Sequence, residues 1–191
     1  MIKLKDRKLE IENLVVQVQA GDQDAFAALY EILIDPIYRY IYYRVPATES
    51  EDLTETVFLK VWKNINKYRP MKNIFTAWVF RIAHNLVVDY YRAAKNKKVD
   101  ELSEMLPDMD RQHNPIVRTK QSMDKDTLKK ALARMKDSYR EIIIYKFMNE
   151  LSNSEIALIL NKSEGSLRIL QFRALKSLKK ELQDMGIDYM A

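Results

Sequence analysis

The sequence predicts an all-α chain of two small helical domains joined by a flexible linker, on three observations. Only 3 Gly and 5 Pro occur in 191 residues, about a third of their usual combined share, so tight turns and strand ends have few of the residues they prefer. Apolar residues recur at steps of three and four through most of the chain, the period of one buried helical face. Between residues 94 and 123 that period disappears: Lys95-Asn-Lys-Lys98, Pro107, Pro115 and scattered Met stand there with few paired apolar positions, as a linker would have them. A first domain over 8–93 and a second over 124–184 follow.

Residues 8–44 read as helices, with Asp22 or Asp24 as an N-cap and with Pro36 and Pro46 marking a break and an end. The aromatic run Tyr30, Tyr38, Tyr40, Tyr42 and Tyr43 is expected in packing. After Pro46, Thr48-Glu-Ser-Glu51 fits a capping box, and Leu53, Val57, Val61 and Ile65 then recur every four residues. Residues 66–73 break the pattern and read as a loop. Phe75, Val79, Ile82, Leu86 and Tyr90 give a further amphipathic helix, whose other side carries Trp78, Arg81, Asn85, Asp89 and Arg92. Past the linker the period returns from Asp124 through Leu128, Leu132, Met135, Tyr139, Ile142 and Ile143 to Phe147.

Ser152-Asn-Ser-Glu155 is a capping box opening a helix through Leu160. Asn161-Lys-Ser163 is a short turn whose Asn tolerates a left-handed backbone, and Ser163 can cap the next helix. Ile156, Leu160, Leu167 and Leu170 are spaced so that two helices crossing steeply share one core, with the small Ala157 at the crossing: the helix-turn-helix pattern. The second helix of such a unit enters the major groove, which makes Lys162, Ser166, Arg168, Ile169, Phe172 and Arg173 the candidate contacts. An αα-hairpin with a solvated polar face is the plainer alternative.

The net charge is +5 and modest, but its distribution is not even. Glu49, Glu51, Asp52 and Glu55 form an acidic patch, whereas residues 60–98 hold ten bases against Asp89 alone. A second basic stretch runs over 162–180 with six bases against Glu164. Two separate basic surfaces point to two contacts with a polyanion. Seven aromatics between Trp62 and Tyr91 are interleaved with the first set of bases, and rings beside cations are what unpaired nucleotides stack on. Phe75 and Tyr90 belong to the buried face; Tyr68, beside Arg69, and Trp78 are the better stacking candidates.

No cysteine is present, which excludes disulfides, a thiolate nucleophile and a thiolate metal site. Two histidines, His84 and His113, do not make a metal cluster, and no cofactor or enzyme chemistry is expected. The start of the sequence holds no apolar run suited to a signal peptide, and no stretch approaches the roughly 18–20 apolar residues of a membrane span. A cytoplasmic protein without membrane insertion is the expectation.

Four blocks carry a family resemblance: Phe26-Ala-Ala-Leu-Tyr30; Asp52-Leu-Thr-Glu-Thr-Val-Phe-Leu-Lys-Val-Trp62; Phe75-Thr-Ala-Trp-Val-Phe-Arg-Ile-Ala-His-Asn-Leu-Val-Val-Asp-Tyr-Tyr-Arg92; and Leu151-Ser-Asn-Ser-Glu-Ile-Ala157 continuing to Phe172-Arg-Ala-Leu175. In this order and spacing the chain resembles bacterial RNA polymerase sigma factors of the sigma-70 family, in the extracytoplasmic-function (ECF) class. The resemblance implies that residues 52–62 act as region 2.2, docking on the clamp helices of the polymerase's largest subunit with Asp52, Glu55, Phe58 and Trp62 at contact positions. It implies that Tyr68, Arg69, Lys72, Asn73, Trp78, Arg81, Asn85 and Arg92 belong to regions 2.3 and 2.4, which capture the unwound strand of the -10 element. The helix-turn-helix then corresponds to region 4, which reads the -35 duplex, and an anti-sigma factor becomes a further candidate partner.

Two departures accompany the resemblance. Glu55 and Thr56 stand where many members carry Gln and Glu, and Leu170 and Gln171 stand where others carry a base and an apolar residue. Leu170 completes the apolar set and reads as core, with Gln171 turned outward. A stand-alone helix-turn-helix regulator and a helical adaptor with merely solvated basic faces are the competing functions.

Overall fold

The structure is a computed structural model and describes residues 7–70, 74–100 and 125–187. Among the described residues there are helices and no strands. The first unit comprises α1 (Lys8–Gln19), α2 (Gln23–Tyr42), α3 (Ala47–Asn64) and α4 (Phe75–Asp100), with a 3-10 turn at Ile65–Lys67 after α3. The second comprises α5 (Lys125–Arg134), α6 (Asp137–Ile143), a π-helical turn at Ile144–Met148, α7 (Asn153–Leu160) and α8 (Glu164–Asp184).

Several boundaries move relative to the sequence reading. Asp22 is the cap of α2, its carboxylate accepting from the Asp24 and Ala25 amides. Pro36 does not break α2: it is buried within the helix between Leu33, Ile37 and Tyr40. A proline inside a helix costs about 3 kcal/mol, and burying each large apolar neighbour returns about 1.5–3 kcal/mol, so packing on both sides carries the helix through. Thr48 caps nothing. The Ser50 hydroxyl donates to the Pro46 carbonyl at 3.1 Å, and the helix starts at Ala47 with no side-chain cap. Helix α4 continues to Asp100, so residues 94–100 are helix rather than linker, while 101–124 lie outside the described residues. Phe147, expected on a buried face, is exposed because the π turn rotates it outward and buries Tyr145 instead.

The two units share one core. The Tyr40 and Tyr145 rings stack at 4.9 Å with planes 9° apart, and Phe80 meets both edge-on at 5.9 and 5.8 Å. Beside them the Arg44 guanidinium lies 2.7 Å from Glu141 Oε1, and His84 Nδ1 lies 2.8 Å from the same oxygen. Tyr40 donates its hydroxyl to Glu141 at 3.4 Å, and Arg39 donates to the Met148 carbonyl at 2.7 Å. The Lys129 ammonium sits 3.6 Å from the centre of the Tyr42 ring, a cation–π contact.

Glu141 is buried with Arg44, His84, Tyr40 and Tyr145 around it. Burial alone would push its carboxyl up, but the hydrogen bond from His84 and the Arg44 charge outweigh that and hold it below the usual carboxylate range. A group whose pKa is lowered by folding stabilises fully above its unfolded value, and that contribution is lost as pH falls through the lowered one. Thermal melts should therefore show Glu141→Gln less stable than the parent protein at neutral pH, with the gap narrowing as the pH drops through the acid range. A gap independent of pH would contradict an ionised Glu141.

Candidate nucleic-acid and docking interfaces

On α3, Asp52, Glu55, Leu59 and Trp62 follow one another at steps of three, four and three, which places them on one stripe, and all four are exposed. Trp62 is braced edge-on by Phe26 at 4.7 Å. Phe58 is not on this stripe: it is only 6% exposed and packs against the Tyr30 ring at 4.6 Å, so it supports the surface rather than forming it. Leu59, 54% exposed, takes its place. The four-residue period chosen for the buried face pointed away from it, while the three-four-three step would have found it.

The segment before α4 is held from α1. Tyr68, expected as an exposed stacking ring, is 2% exposed. It folds inward because its hydroxyl donates to both Glu12 carboxylate oxygens at 3.1 Å and its ring packs on Phe75 at 5.0 Å and Trp78 at 5.6 Å. Burial, and then the Glu12 charge, push its phenol well above the usual tyrosine value. Glu12 also accepts from the Phe75 amide at 3.0 Å, capping the first turn of α4, and Gln19 donates to the Ile65 and Tyr68 carbonyls at 2.7 and 3.1 Å. Nothing in the local pattern of residues 66–73 signals these partners, which lie some fifty positions earlier.

Glu12→Ala should cost about 2.5–4 kcal/mol, from a lost hydrogen bond to a charged acceptor at about 1.5–3 kcal/mol and a lost cap at about 1 kcal/mol. Urea denaturation reads this directly. Glu12→Gln keeps an acceptor and should lose less; equal losses would mean that Glu12 contributes through its charge.

Trp78, Arg81, Asn85, Val88 and Arg92 share a face of α4 at helical spacing. Arg81, Asn85 and Arg92 are exposed, Arg92 within 3.3 Å of Asp89, whereas Trp78 is partly buried against Phe75 at 5.4 Å. Arg69 is exposed, but its Nη1 donates to the Asn66 and Tyr68 carbonyls at 2.7 and 2.8 Å, which fixes the turn. Lys72 and Asn73 lie outside the described residues.

In the second unit the expected helix-turn-helix geometry is present. Ser152 Oγ accepts from the Glu155 amide while Glu155 accepts from the Ser152 amide. Asn161 turns the chain at φ 52° and ψ 49°, and Ser163 Oγ accepts from the Ser166 amide at 3.3 Å. Ile156 and Leu167 are fully buried, with Leu160 and Leu170 partly so. Gln171 does not turn outward: its side-chain amide donates to Asn153 at 2.8 Å, tying α8 to the start of α7. Lys162, Ser166, Arg168, Ile169, Phe172 and Arg173 are all exposed, Phe172 at 70%. The Ser166 hydroxyl is engaged with the Ser163 carbonyl at 2.8 Å, which leaves the bases and the two apolar side chains as the outward chemistry. Lys176 and Lys180 continue the same face.

Residues 29–97 match Sigma-70 region 2 and residues 125–178 match Sigma-70, region 4. The ECF RNA polymerase sigma factor BldN of Streptomyces coelicolor is 34% identical over 172 residues, which are 90% of this chain and 65% of BldN. The ECF RNA polymerase sigma factor SigW of Bacillus subtilis is 30% identical over 190 residues, covering 93% of this chain and all of SigW. The chain belongs to the ECF class of sigma-70 factors. Members of this class are transcription initiation factors. The ECF fold is also that of the sigma factor RpoE from Bartonella quintana, solved in complex with the anti-sigma factor NepR: TM-score 0.69, 20% identity, 83% of this chain and 96% of that one. Among the described residues of this ECF chain, no helix is long and apolar enough to cross a membrane.

Proposed function

We propose a division of labour within this sigma factor that follows the order of its faces. The stripe Asp52, Glu55, Leu59 and Trp62 docks on the clamp helices of core RNA polymerase. The α4 face with Arg81, Asn85 and Arg92, flanked by Trp78 and supported by the α1 contacts, captures the unwound strand of the -10 element. Helix α8, with Lys162, Arg168, Ile169, Phe172 and Arg173, reads the -35 duplex. Supporting this is one observation: an acidic and apolar stripe on α3, a basic and polar face on α4 and a helix-turn-helix with exposed bases on α8 succeed one another along the chain.

The chain acts in the cytoplasm and catalyses nothing itself; the polymerase does the chemistry. An anti-sigma factor, of the kind bound to RpoE, is a further candidate partner in this reading. Reconstitution with core polymerase tests the reading. Run-off transcription from native genomic DNA should begin at a discrete set of promoters, and core polymerase should be retained in a pull-down. A stand-alone regulator would shift duplex DNA tightly on its own and ignore the core enzyme.

A further inference from the structure

We infer that the basic cleft between the C-terminal half of α8 and Tyr139 of α6 is a phosphate clamp, which grips the DNA backbone beside the -35 element and sets how α8 presents its base-reading turn. This rests on the reading of α8 as the helix that enters the -35 duplex.

The first argument is chemical. A cleft of about 550 Å³ is lined by Arg173, Lys176, Lys179 and Lys180 of α8 and by Tyr139 of α6, and the rest of its lining, Ser177 and Gln183, is neutral and polar. Arg173 and the three lysines are exposed, and none of the four has an acidic partner among the described residues. Four cations gathered on one wall repel one another in the free chain, and a run of phosphates relieves that repulsion. The helix dipole does not account for their placement: it acts within the last turn, and the last turn of α8 holds no base. Tyr139, Ser177 and Gln183 add hydrogen-bond donors of the kind that phosphate oxygens accept.

The second argument is geometric. At about 1.5 Å of rise per residue, Lys176 stands about 12 Å and Lys180 about 18 Å further along α8 than Arg168. The major groove is about 12 Å wide and about 8.5 Å deep, and a recognition helix meets the bases with its N-terminal residues. With Arg168 among the bases, Lys176 reaches the rim of the groove and Lys180 lies beyond it, over the flanking phosphates. Arg173, Lys176 and Lys180 follow at steps of three and four, one stripe of the helix, and the opposite wall comes from α6, so the backbone is held from two sides. Base contacts specify and phosphate contacts position. The clamp therefore fixes the depth and tilt at which α8 presents Arg168, and carries no sequence preference of its own.

The full-length chain and two duplexes of equal length test this, one carrying a -35 element mapped by the run-off transcription above and one of scrambled sequence. Each phosphate neutralised by the protein contributes about 0.9 to the slope of log affinity against log salt concentration. Lys176→Gln, Lys179→Gln and Lys180→Gln combined, all at exposed positions and all to a good helix former, should make that slope shallower by about 2–3 on both duplexes. The ratio of the two affinities should not change, whereas Arg168→Ala should reduce it. An unchanged slope in the triple variant would overturn the clamp, as would a loss confined to the element-bearing duplex, which would make these lysines base readers. An unchanged ratio in Arg168→Ala would sink the -35 reading of α8 while the clamp, measured on the scrambled duplex, still stood. Should the triple variant lose its helical spectrum, Lys180→Gln alone, with a slope shallower by about 1, keeps the test decisive.

Discussion

Phe80→Ala is expected to lower stability by about 3–5 kcal/mol, the range for removing a fully buried aromatic ring. Phe80 is 0% exposed and stands edge-on to two rings from different parts of the chain, Tyr40 on α2 and Tyr145 on the π turn. Those two are already stacked face to face, so neither can swing into the space that Phe80 leaves without breaking the stack. The cavity would persist, and the cost depends on how far a site can collapse. Urea unfolding at neutral pH measures it, with Phe80→Leu, which keeps most of the volume, as the milder companion. A loss below about 1 kcal/mol would place Phe80 among ordinary surface positions and contradict the shared core.

The second large effect is functional. Arg168→Ala should weaken binding of the -35 duplex by about tenfold, since one good bidentate base contact is worth about 1–3 kcal/mol and each 1.4 kcal/mol is about tenfold. Asn85→Ala should leave duplex binding intact and slow open-complex formation by a similar factor, read by permanganate reactivity of the -10 region in holoenzyme. Both residues are exposed and bear no packing load, which makes them cleaner probes than Trp78, whose ring supports Tyr68 and Phe75. Equal losses of both activities in both variants would contradict separate strand and duplex faces.

What was legible in the sequence was local. The capping box at Ser152, the left-handed Asn161 and the Ser163 cap each depend on residues within three or four positions of one another, and the structure places them as the pattern reads. The stripe on α4 was legible for the same reason. Pro36 misled because its local penalty is overridden by the burial of the residues on either side of it, Leu33, Ile37 and Tyr40. Tyr68 misled because the group that draws it inward, Glu12, lies 56 positions away and belongs to a helix that carries no functional motif. Gln171 likewise answers to Asn153, 18 residues back. His84, which the sequence offered only as half of a pair too small for a metal cluster, finds its partner in Glu141 on α6. Hydrophobic periodicity shows which face of a helix is buried, but not what buries it.

The separation between the partners has a consequence during synthesis. Tyr40 and Glu141 are 101 positions apart, and Arg39 and Met148 are 109 apart. Chains emerge N-terminus first at about 5–20 residues per second, so the first unit waits about 5–20 s for its other half. Throughout that interval Arg44 stands without its counter-charge and the Tyr40 ring without its cover. On a crowded polysome the second half of one nascent copy could complete the first half of its neighbour, exchanging halves between chains, and the speed of translation through the intervening residues would set how often that happens.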